Sequence, residues 1–557
     1  MDHPKSPDAA GSNRWALAGL ALFILALGLL LHPWRGFAHD SMLYTLFALA
    51  RLYPQSLGHD FFVRLGTQDH YTVFSPVYAA AIRLFGIDHA SALLTFITQV
   101  SFFGAAWLLA RGLTTSDTAL LGLGLLVVLP AWYGAEQTFS YTELFLTPRQ
   151  PAEAFALLGI GFALSRKRTA TVSCLATAVL LHPIMAGAAI LCWIILDFGL
   201  PHPRIALVIS LAGIALGVLV TLLPHSPLPR FDPDWLSALQ ARLAFMFPSR
   251  WLARDWLWSL PGLATLTLGS LVGTQPQVRR LCIAAVTTGA VGLALTLIGG
   301  DLMHVALAVQ MQMWRWLWLS GVVSVLLLPV ILLEAWNRGI PGRAATVLLA
   351  ACWLWLAFTA GSHLSLLCVA LLILLWQFAL RTNRRDAVVL TVLGLTAVAV
   401  MTFYATRTWT RRQYPAEADA AYEPWRRLIP EDAQVLWPDS PPLDLWYSLH
   451  RPNYWSLVQM AGSVFSRREW EIGLQRQGAV MNLAPFLGGS YDGTTSRDLA
   501  ALSPQATLSA FCAIPDLQYL ASWRDLGPTP YPLLTRMRPS TNTPASLRLY
   551  HCPHDSY

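Results

Sequence analysis

The sequence predicts a polytopic α-helical membrane protein that ends in a small mixed α/β domain. Its 557 residues are 55% hydrophobic and only 12% charged, whereas a soluble domain carries about 25% charged residues. Long apolar runs recur from Trp15 to about residue 405 and then stop. We therefore expect a cytoplasmic N-terminus at 1–14, a transmembrane domain at 15–405 and a separate domain at 406–557.

Apolar windows with the composition of membrane spans occur about thirteen times. They lie near residues 15–32, 88–110, 116–133, 152–165, 169–183, 185–200, 205–223, 256–273, 281–299, 316–335, 344–360, 363–380 and 387–405. The segment from Tyr71 to Gly86 contains Pro76 and Arg83 and is only marginally apolar. We expect it to form an amphipathic helix on the membrane surface.

The distribution of arginine predicts which loops face outward. The first span has no small-residue cleavage site after it, so it resembles a retained signal anchor. With the N-terminus inside, the inner loops carry cations, as in the run Arg166-Lys167-Arg168, and the short outer turns at 184 and 361–362 carry none. The loops 34–87 and 134–151 and the tail from about Arg407 are then outside.

Composition also indicates the compartment and the partners. The net charge of +7 comes almost wholly from arginine, since Lys5 and Lys167 are the only lysines. Together with many Ala, Leu and Trp residues, this is typical of a GC-rich bacterial genome, so we expect the bacterial cytoplasmic (inner) membrane with a periplasmic C-terminal domain. The arginines are dispersed, which favours contacts with membrane lipids and indicates no nucleic-acid partner.

Two aspartates follow the first span in the outer loop 34–87. They are Asp40, with His39 beside it and Tyr44 one helical turn on, and Asp60. A carboxylate at the membrane surface is partly desolvated, so it can act as a base or orient a phosphate-linked substrate. Alternatively, both aspartates cap juxtamembrane helices.

The outer loop 134–151 carries Glu136, Glu143 and Arg149 at the entrance of a span. Arg149 could hold a phosphate while Glu136 or Glu143 contacts polar substrate groups. The alternative is that Arg149 pairs with Glu153 one turn on and only anchors the helix.

Two further cationic or titratable residues lie at span ends on the expected outer side. His182 is either a site residue or an ordinary interfacial residue, and Arg315, among tryptophans, is either a snorkelling anchor or a clamp for a lipid phosphate.

The cysteines do not have the spacing of a metal site, and the sequence leaves a divalent-cation requirement open. Cys512 and Cys552 are the two cysteines of the tail, and we expect them to form a disulfide in an oxidising compartment. P-loop, Rossmann, HExxH and Gly-x-Ser-x-Gly motifs are absent from the sequence, which disfavours nucleotide hydrolysis, zinc proteolysis and hydrolase-type esterolysis.

The whole architecture resembles the GT-C superfamily of integral membrane glycosyltransferases, which use polyprenyl-phosphate-linked sugars. The features that carry the resemblance are Asp40 with Tyr44, Asp60, the loop with Glu136 and Glu143, about a dozen spans and an outer C-terminal domain. It implies an inverting transfer from a lipid-linked donor to a glycan, lipid or protein acceptor, with Asp40 as the base. The sequence lacks Trp-Trp-Asp-Tyr-Gly, which counts against an oligosaccharyltransferase, and the Pro-Pro-Leu-Gly type sequence of protein mannosyltransferases.

Three other functions remain open. A transporter or flippase of lipid-linked sugars would need polar residues at mid-depth, and the spans carry almost no charge there. A polymerase or ligase of surface polysaccharide would depend on arginine and histidine rather than on Asp40. A membrane scaffold would act through its tail.

Overall fold

The structure, a computed structural model, forms two compact units. One comprises Met1–Arg35 and Ala92–Arg411, and the other comprises Gly36–Ser91 and Arg412–Tyr557. The residues described are 7–198, 229–359, 373, 394–396, 398–403, 406–407, 413–414, 420–438, 442–481, 503–538 and 543–553. We call the two units the membrane unit and the tail unit, and describe each separately.

The membrane unit is helical apart from one short hairpin among its described residues. Its helices are α1 (Pro7–Leu31), α5 (Ile87–Leu113, whose first turn belongs to the tail unit), α6 (Ser116–Val128), α7 (Arg149–Leu164), α8 (Arg168–Leu181), α9 (Pro183–Phe198), α10 (Pro233–Arg242), α11 (Ala253–Val272), α12 (Pro276–Leu295), α13 (Ala306–Gln310), α14 (Leu317–Trp336) and α15 (Ile340–Thr359). One continuous apolar core contains residues of all these helices except α10 and α13. Helix α14 is central to it, since most side chains of α14 are buried.

Four helices in the described part of the chain are long and apolar enough to cross a membrane, by length and composition. They are Ile87–Leu113, Pro276–Leu302, Ala306–Trp336 and Ile340–Thr359. The second of these is α12 with the π-helical residues Thr296–Leu302 that continue it, and the third contains α13, the 3-10 turn Met313–Trp316 and α14. Ten of the thirteen apolar windows coincide with helices. The windows at 205–223, 363–380 and 387–405 lie wholly or largely outside the described residues, so the number of spans stays a prediction.

The tail unit combines short helices with a four-stranded mixed sheet. Its helices are α2 (Ser41–Leu52), α3 (Phe61–Leu65), α4 (Phe74–Phe85), α16 (Glu423–Leu428), α17 (Arg467–Met481) and α18 (Pro504–Cys512). Its strands are β3 (Val435–Leu436), β4 (Tyr519–Ser522), β5 (Leu534–Arg538) and β6 (Thr543–His551). The strand order is β3-β4-β6-β5, with β3 parallel to β4 and the other pairs antiparallel.

Apolar cores cover both faces of this sheet. Successive side chains of a strand point to opposite faces, so neighbouring residues belong to different cores. Leu520 and Tyr550 belong to one core, which also contains Phe61 of α3. Tyr519 and Ala521 belong to the other core. The structure joins Cys512 of α18 to Cys552 after β6 by a disulfide.

Residues 36–91, which the sequence analysis places in an outer loop, belong to the same compact unit as residues 412–557. The Tyr447 hydroxyl donates to the Met42 carbonyl at 2.9 Å. The ring of Tyr53 stacks on that of His450 at 3.9 Å between centroids. Residues 36–91 are thus part of a folded unit rather than a loop that depends on the membrane helices.

Candidate functional site

The start of the expected second outer loop forms a hairpin, β1 (Trp132–Tyr133) paired with β2 (Phe139–Ser140). Its turn begins at Gly134, where φ is +74°, and a Cβ there would come within 2.0 Å of the Trp314 ring. Only glycine fits this position, because it tolerates positive φ and the close approach of the indole. The hairpin is therefore held against the segment that carries Arg315.

Asp255 fixes the tip of the hairpin to the start of α11. Its Oδ1 accepts the backbone N–H of Glu136 at 3.1 Å, and its Oδ2 accepts that of Leu252 at 2.8 Å. Glu136 itself has a φ of +57°, and its side chain is exposed. The structure thus puts Glu136 at an accessible turn, and Asp255, which our sequence analysis did not single out, holds that turn in place.

Glu143 and Arg149 form a buried ion pair. The Arg149 Nε donates to Glu143 Oε1 at 2.6 Å, and Nη2 lies 2.5 Å from the same oxygen. The Thr147 hydroxyl donates to the other carboxylate oxygen. The chain bends at Leu144–Phe145 and again at Pro148, the N-cap of α7, so that Arg149 comes back to Glu143. Arg149 is thus hydrogen-bonded to Glu143, whereas Glu153, the alternative partner, has no hydrogen-bond partner among the described residues.

Both arginines of the predicted clamp lie against the same aromatic ring. The guanidinium carbon of Arg315 is 3.8 Å from the centre of the Phe139 ring, and that of Arg149 is 5.0 Å from it. Both side chains are buried, as is Phe139. The quadrupole of the Phe139 ring attracts a cation to the face of the ring, so both contacts are favourable cation–π interactions.

Several buried polar groups of this cluster lack a hydrogen-bond partner among the described residues. Both carboxyl oxygens of Glu153, the Tyr133 hydroxyl and the Trp314 indole N–H are in this state. The Tyr133 hydroxyl lies in the electrostatic field of Glu143, Glu153, Arg149 and Arg315. Buried polar groups are normally satisfied, so unsatisfied ones gathered around charges indicate a place for a polar ligand or for water. We call Glu143, Arg149, Glu153, Arg315, Tyr133, Phe139 and Trp314 the arginine cluster.

The arginine cluster is braced by contacts to α5 and α9. The Gln99 side chain of α5 donates to the Glu143 carbonyl at 3.0 Å. The indole of Trp316 donates to the Ile184 carbonyl at 3.1 Å. His182, the C-cap of α8, is buried and accepts the backbone N–H of Met185 at 3.4 Å. His182 therefore stabilises the turn between α8 and α9.

Asp40 lies in the tail unit, at the N-cap position of α2. Its side chain makes no capping hydrogen bond with the helix, and its Oδ1 is 3.1 Å from His39 Nδ1. The side chains of Asp40 and His39 are 27% and 39% exposed, so solvent or a substrate can reach them. The Tyr44 ring packs edge-on against Phe74 at 5.8 Å, which fixes the first turn of α2.

Asp60 is completely buried and accepts four N–H donors. The donors are the backbone N–H groups of Phe62 and Asn453 and the side chains of Trp446 and Gln459, at 2.9 to 3.0 Å. An ionised carboxylate has about four acceptor positions, and all are used. Burial raises the pKa of Asp60, although these four donors oppose the rise.

These contacts give Asp60 a positioning role, as the cap of α3, rather than contact with a substrate. This agrees with the capping alternative of the sequence analysis for Asp60, whereas Asp40 makes no such cap.

A metal centre is not evident in the described part of the chain. No group of three or more His, Cys, Asp or Glu side chains there is arranged to hold a metal ion.

Sequence searches return no relative. No protein-family model matches the chain, and no curated protein matches it.

Two solved structures are similar to the chain at low identity. One is the archaeal oligosaccharyltransferase AglB from Archaeoglobus fulgidus in complex with an inhibitory peptide and a dolichol-phosphate, at 12% identity and a TM-score of 0.36, covering 93% of this chain and 70% of that one. The other is the Archaeoglobus fulgidus oligosaccharyltransferase in complex with Zn and sulfate, at 13% identity and a TM-score of 0.31, covering 91% and 67%.

Proposed function

We propose that the chain is a membrane glycosyltransferase of GT-C type that moves a sugar from a polyprenyl-phosphate-linked donor to a glycan, lipid or protein acceptor. The observation that carries the proposal is the arginine cluster. In it, two buried guanidinium groups lie against the Phe139 ring, among buried polar groups without a hydrogen-bond partner in the described part of the chain. A site of this kind suits an anionic group attached to an apolar carrier, because the cations meet the phosphate and the surrounding helices meet the lipid.

Arg315 is the stronger candidate for contact with the donor phosphate. Arg149 already shares its Nε and Nη2 with Glu143. Binding phosphate through those atoms would leave the buried Glu143 carboxylate without its cation, which costs several kcal/mol. We assign phosphate contact to Arg315, whose guanidinium lies 3.8 Å from the centre of the Phe139 ring, and positioning of the cluster to the Glu143–Arg149 pair.

Asp40 acts as the base in this proposal. Its carboxylate accepts the proton of the acceptor hydroxyl while the hydroxyl oxygen forms a bond to the anomeric carbon of the sugar. The bond from that carbon to the phosphate oxygen breaks, and the lipid phosphate leaves with the bonding electrons. A cation bound to the donor phosphate stabilises the charge that develops as the phosphate departs. A single displacement of this kind inverts the anomeric configuration.

The remaining predicted residues have supporting roles. His39, 3.1 Å from Asp40, orients the base, and Tyr44 holds the first turn of α2 through Phe74. The exposed Glu136 contacts polar groups of the acceptor or sugar. His182 supports the start of α9. The setting we propose is the bacterial cytoplasmic membrane, with the site and the residues 406–557 on the periplasmic side.

Analysis of lipid-linked sugars in a deletion strain tests the function. The proposal expects one polyprenyl-phosphate-linked sugar to accumulate, and expects that the purified protein in vesicles then transfers this sugar, with release of free polyprenyl phosphate. Movement of the lipid-linked sugar across the vesicle membrane without release of polyprenyl phosphate would contradict the proposal and indicate a flippase. An unchanged lipid-linked sugar pool, together with no transfer in vesicles, would also contradict it.

A further inference from the structure

Helix α4 has two apolar faces, and only one of them packs within the tail unit. The packed face contains Phe74, Tyr78 and Ile82, all buried. The Tyr78 hydroxyl lies 3.2 Å from Thr45 Oγ1 of α2, which fixes this face against its neighbour. The orientation of α4 about its own axis is therefore determined.

The opposite face is an exposed apolar stripe. Val73, Val77, Ala80 and Leu84 follow one another at intervals of four, three and four residues, which places them on one side of a helix. Leu84 is 75% exposed and Val77 is 56% exposed. Arg83 is the only charged residue from Phe74 to Phe85. A helix facing water would carry polar side chains here, so the stripe faces an apolar environment.

The chain itself indicates what that environment is. Helix α4 ends at Phe85, Gly86 has a φ of +76°, and α5 begins at Ile87. Helix α5 is one of the helices long and apolar enough to cross a membrane. A helix joined to a membrane span by one residue lies at the level where that span meets the headgroups. Arg83 borders the stripe, and a long arginine side chain can reach the headgroups from the edge of an apolar face.

We propose that the stripe formed by Val73, Val77, Ala80 and Leu84 lies in the bilayer, at the boundary between headgroups and acyl chains. Tyr71, which is also exposed, precedes the stripe, and its amphipathic ring suits the interface. The tail unit is thereby attached to lipid through α4, independently of any catalytic role for its residues.

Quenching by brominated lipids tests this attachment in the full-length protein. The five cysteines outside the Cys512–Cys552 pair are replaced by alanine, and Val77→Cys or Leu84→Cys is labelled with an environment-sensitive fluorophore after reconstitution into vesicles. The control position is Leu474→Cys on α17, since Leu474 is also an exposed leucine of the tail unit, at 44%. The background protein without an added cysteine measures labelling of other sites.

The proposal expects bromines in the acyl chains to quench the labels at 77 and 84 at least about twofold more than the label at 474. Aqueous iodide should quench in the opposite order. Labels at 77 and 84 that respond to iodide as strongly as the label at 474, and not to brominated lipid, would overturn the proposal. Protection from both quenchers would overturn it too, since it would indicate a second protein surface on the stripe. Two positions are measured so that a local perturbation at one cannot decide the result.

Discussion

The Trp446 indole donates to the Asp60 carboxylate at 2.9 Å, which joins two residues 386 positions apart in the sequence. Gln459 donates to the other oxygen of Asp60 at 2.9 Å. One carboxylate thus connects the N-terminal part of the tail unit to two segments of its C-terminal part. Asp60 is the centre of a buried network, and its loss should affect folding before chemistry.

Asp60→Asn should destabilise the tail unit. The amide places an N–H₂ group where four donors meet, so at least one donor loses its acceptor, at a cost of about 1–3 kcal/mol or more. The apparent melting temperature of the purified protein measures this. Asp525→Asn is the control, because Asp525 is 64% exposed in its pair with Arg548 and should change stability little. A normally stable Asp60→Asn protein that has lost all transfer would contradict the positioning role.

Glu469 should make the tail unit less stable as the pH rises. Burial, and then the neighbouring Asp60, raise the pKa of Glu469 to about 9 from the ordinary 4.5. Between these values the folded state binds a proton that the unfolded state has released, so the free energy of unfolding falls with increasing pH. Glu469→Gln should remove this dependence, and its advantage over wild type should grow from about pH 5 to about pH 9.

Melting curves across this pH range measure the effect. Glu471→Gln on the same helix is the matched control, because Glu471 is 51% exposed in its pair with Arg467 and should leave the dependence unchanged. The same dependence on pH in Glu469→Gln and in wild type would show that the buried carboxyl is not its source.

The disulfide between Cys512 and Cys552 should stabilise the tail unit. It closes a loop with a sequence separation of 40 residues, and closure of such a loop contributes about 3–4 kcal/mol in the chain-entropy model. Reduction should therefore lower the melting temperature of the wild type but not of a Cys512→Ser, Cys552→Ser double variant. Mass spectrometry of unreduced, alkylated protein should show neither cysteine alkylated, and two alkylated thiols would refute the pairing.

Arg315→Lys should lower transfer by about 10²-fold through weaker interaction with the departing phosphate. Lysine keeps the charge but loses the planar fork that binds phosphate through two donors. Arg254→Lys is the control in the same unit, since Arg254 is 68% exposed. Arg149→Lys should instead reduce stability, because Arg149 pairs with the buried Glu143. Unchanged donor affinity and turnover in both Arg315→Lys and Arg149→Lys would exclude a phosphate clamp at either residue.

The helices could be predicted from the sequence where apolar runs are long, as for α5, α12 and α14. Such a run is favoured in apolar surroundings, whether these are lipid or other helices. The hydrogen bond from Arg149 to Glu143 could not be predicted, because helical spacing favours Glu153 whereas the bends at Leu144–Phe145 and Pro148 bring Arg149 back to Glu143. The Asp60–Trp446 contact carries no local signal, since its residues are far apart in the chain.

The unsatisfied Glu153 illustrates a further limit of the sequence analysis. Its spacing from Arg149 at a proline-rich helix start is that of an ordinary anchoring ion pair. Only the folded cluster shows that both of its oxygens are buried without a hydrogen-bond partner among the described residues. Asp255 was missed for a related reason, because a carboxylate at a helix start is usually a local cap and here it also holds a distant turn.

Transfer of a sugar by Asp40→Asn protein tests the central claim most directly. The purified variant and the wild type are supplied with the polyprenyl-phosphate-linked sugar that accumulates in the deletion strain, and release of polyprenyl phosphate is measured. Asparagine keeps the shape of Asp40 but cannot accept the proton, so turnover should fall by about 10²–10⁴-fold with an unchanged melting temperature. Asp69→Asn, which alters the Arg51 pair in the same unit, should remain active. Wild-type turnover by Asp40→Asn would contradict the assignment of Asp40 as the base and would leave the glycosyltransferase proposal without its central residue.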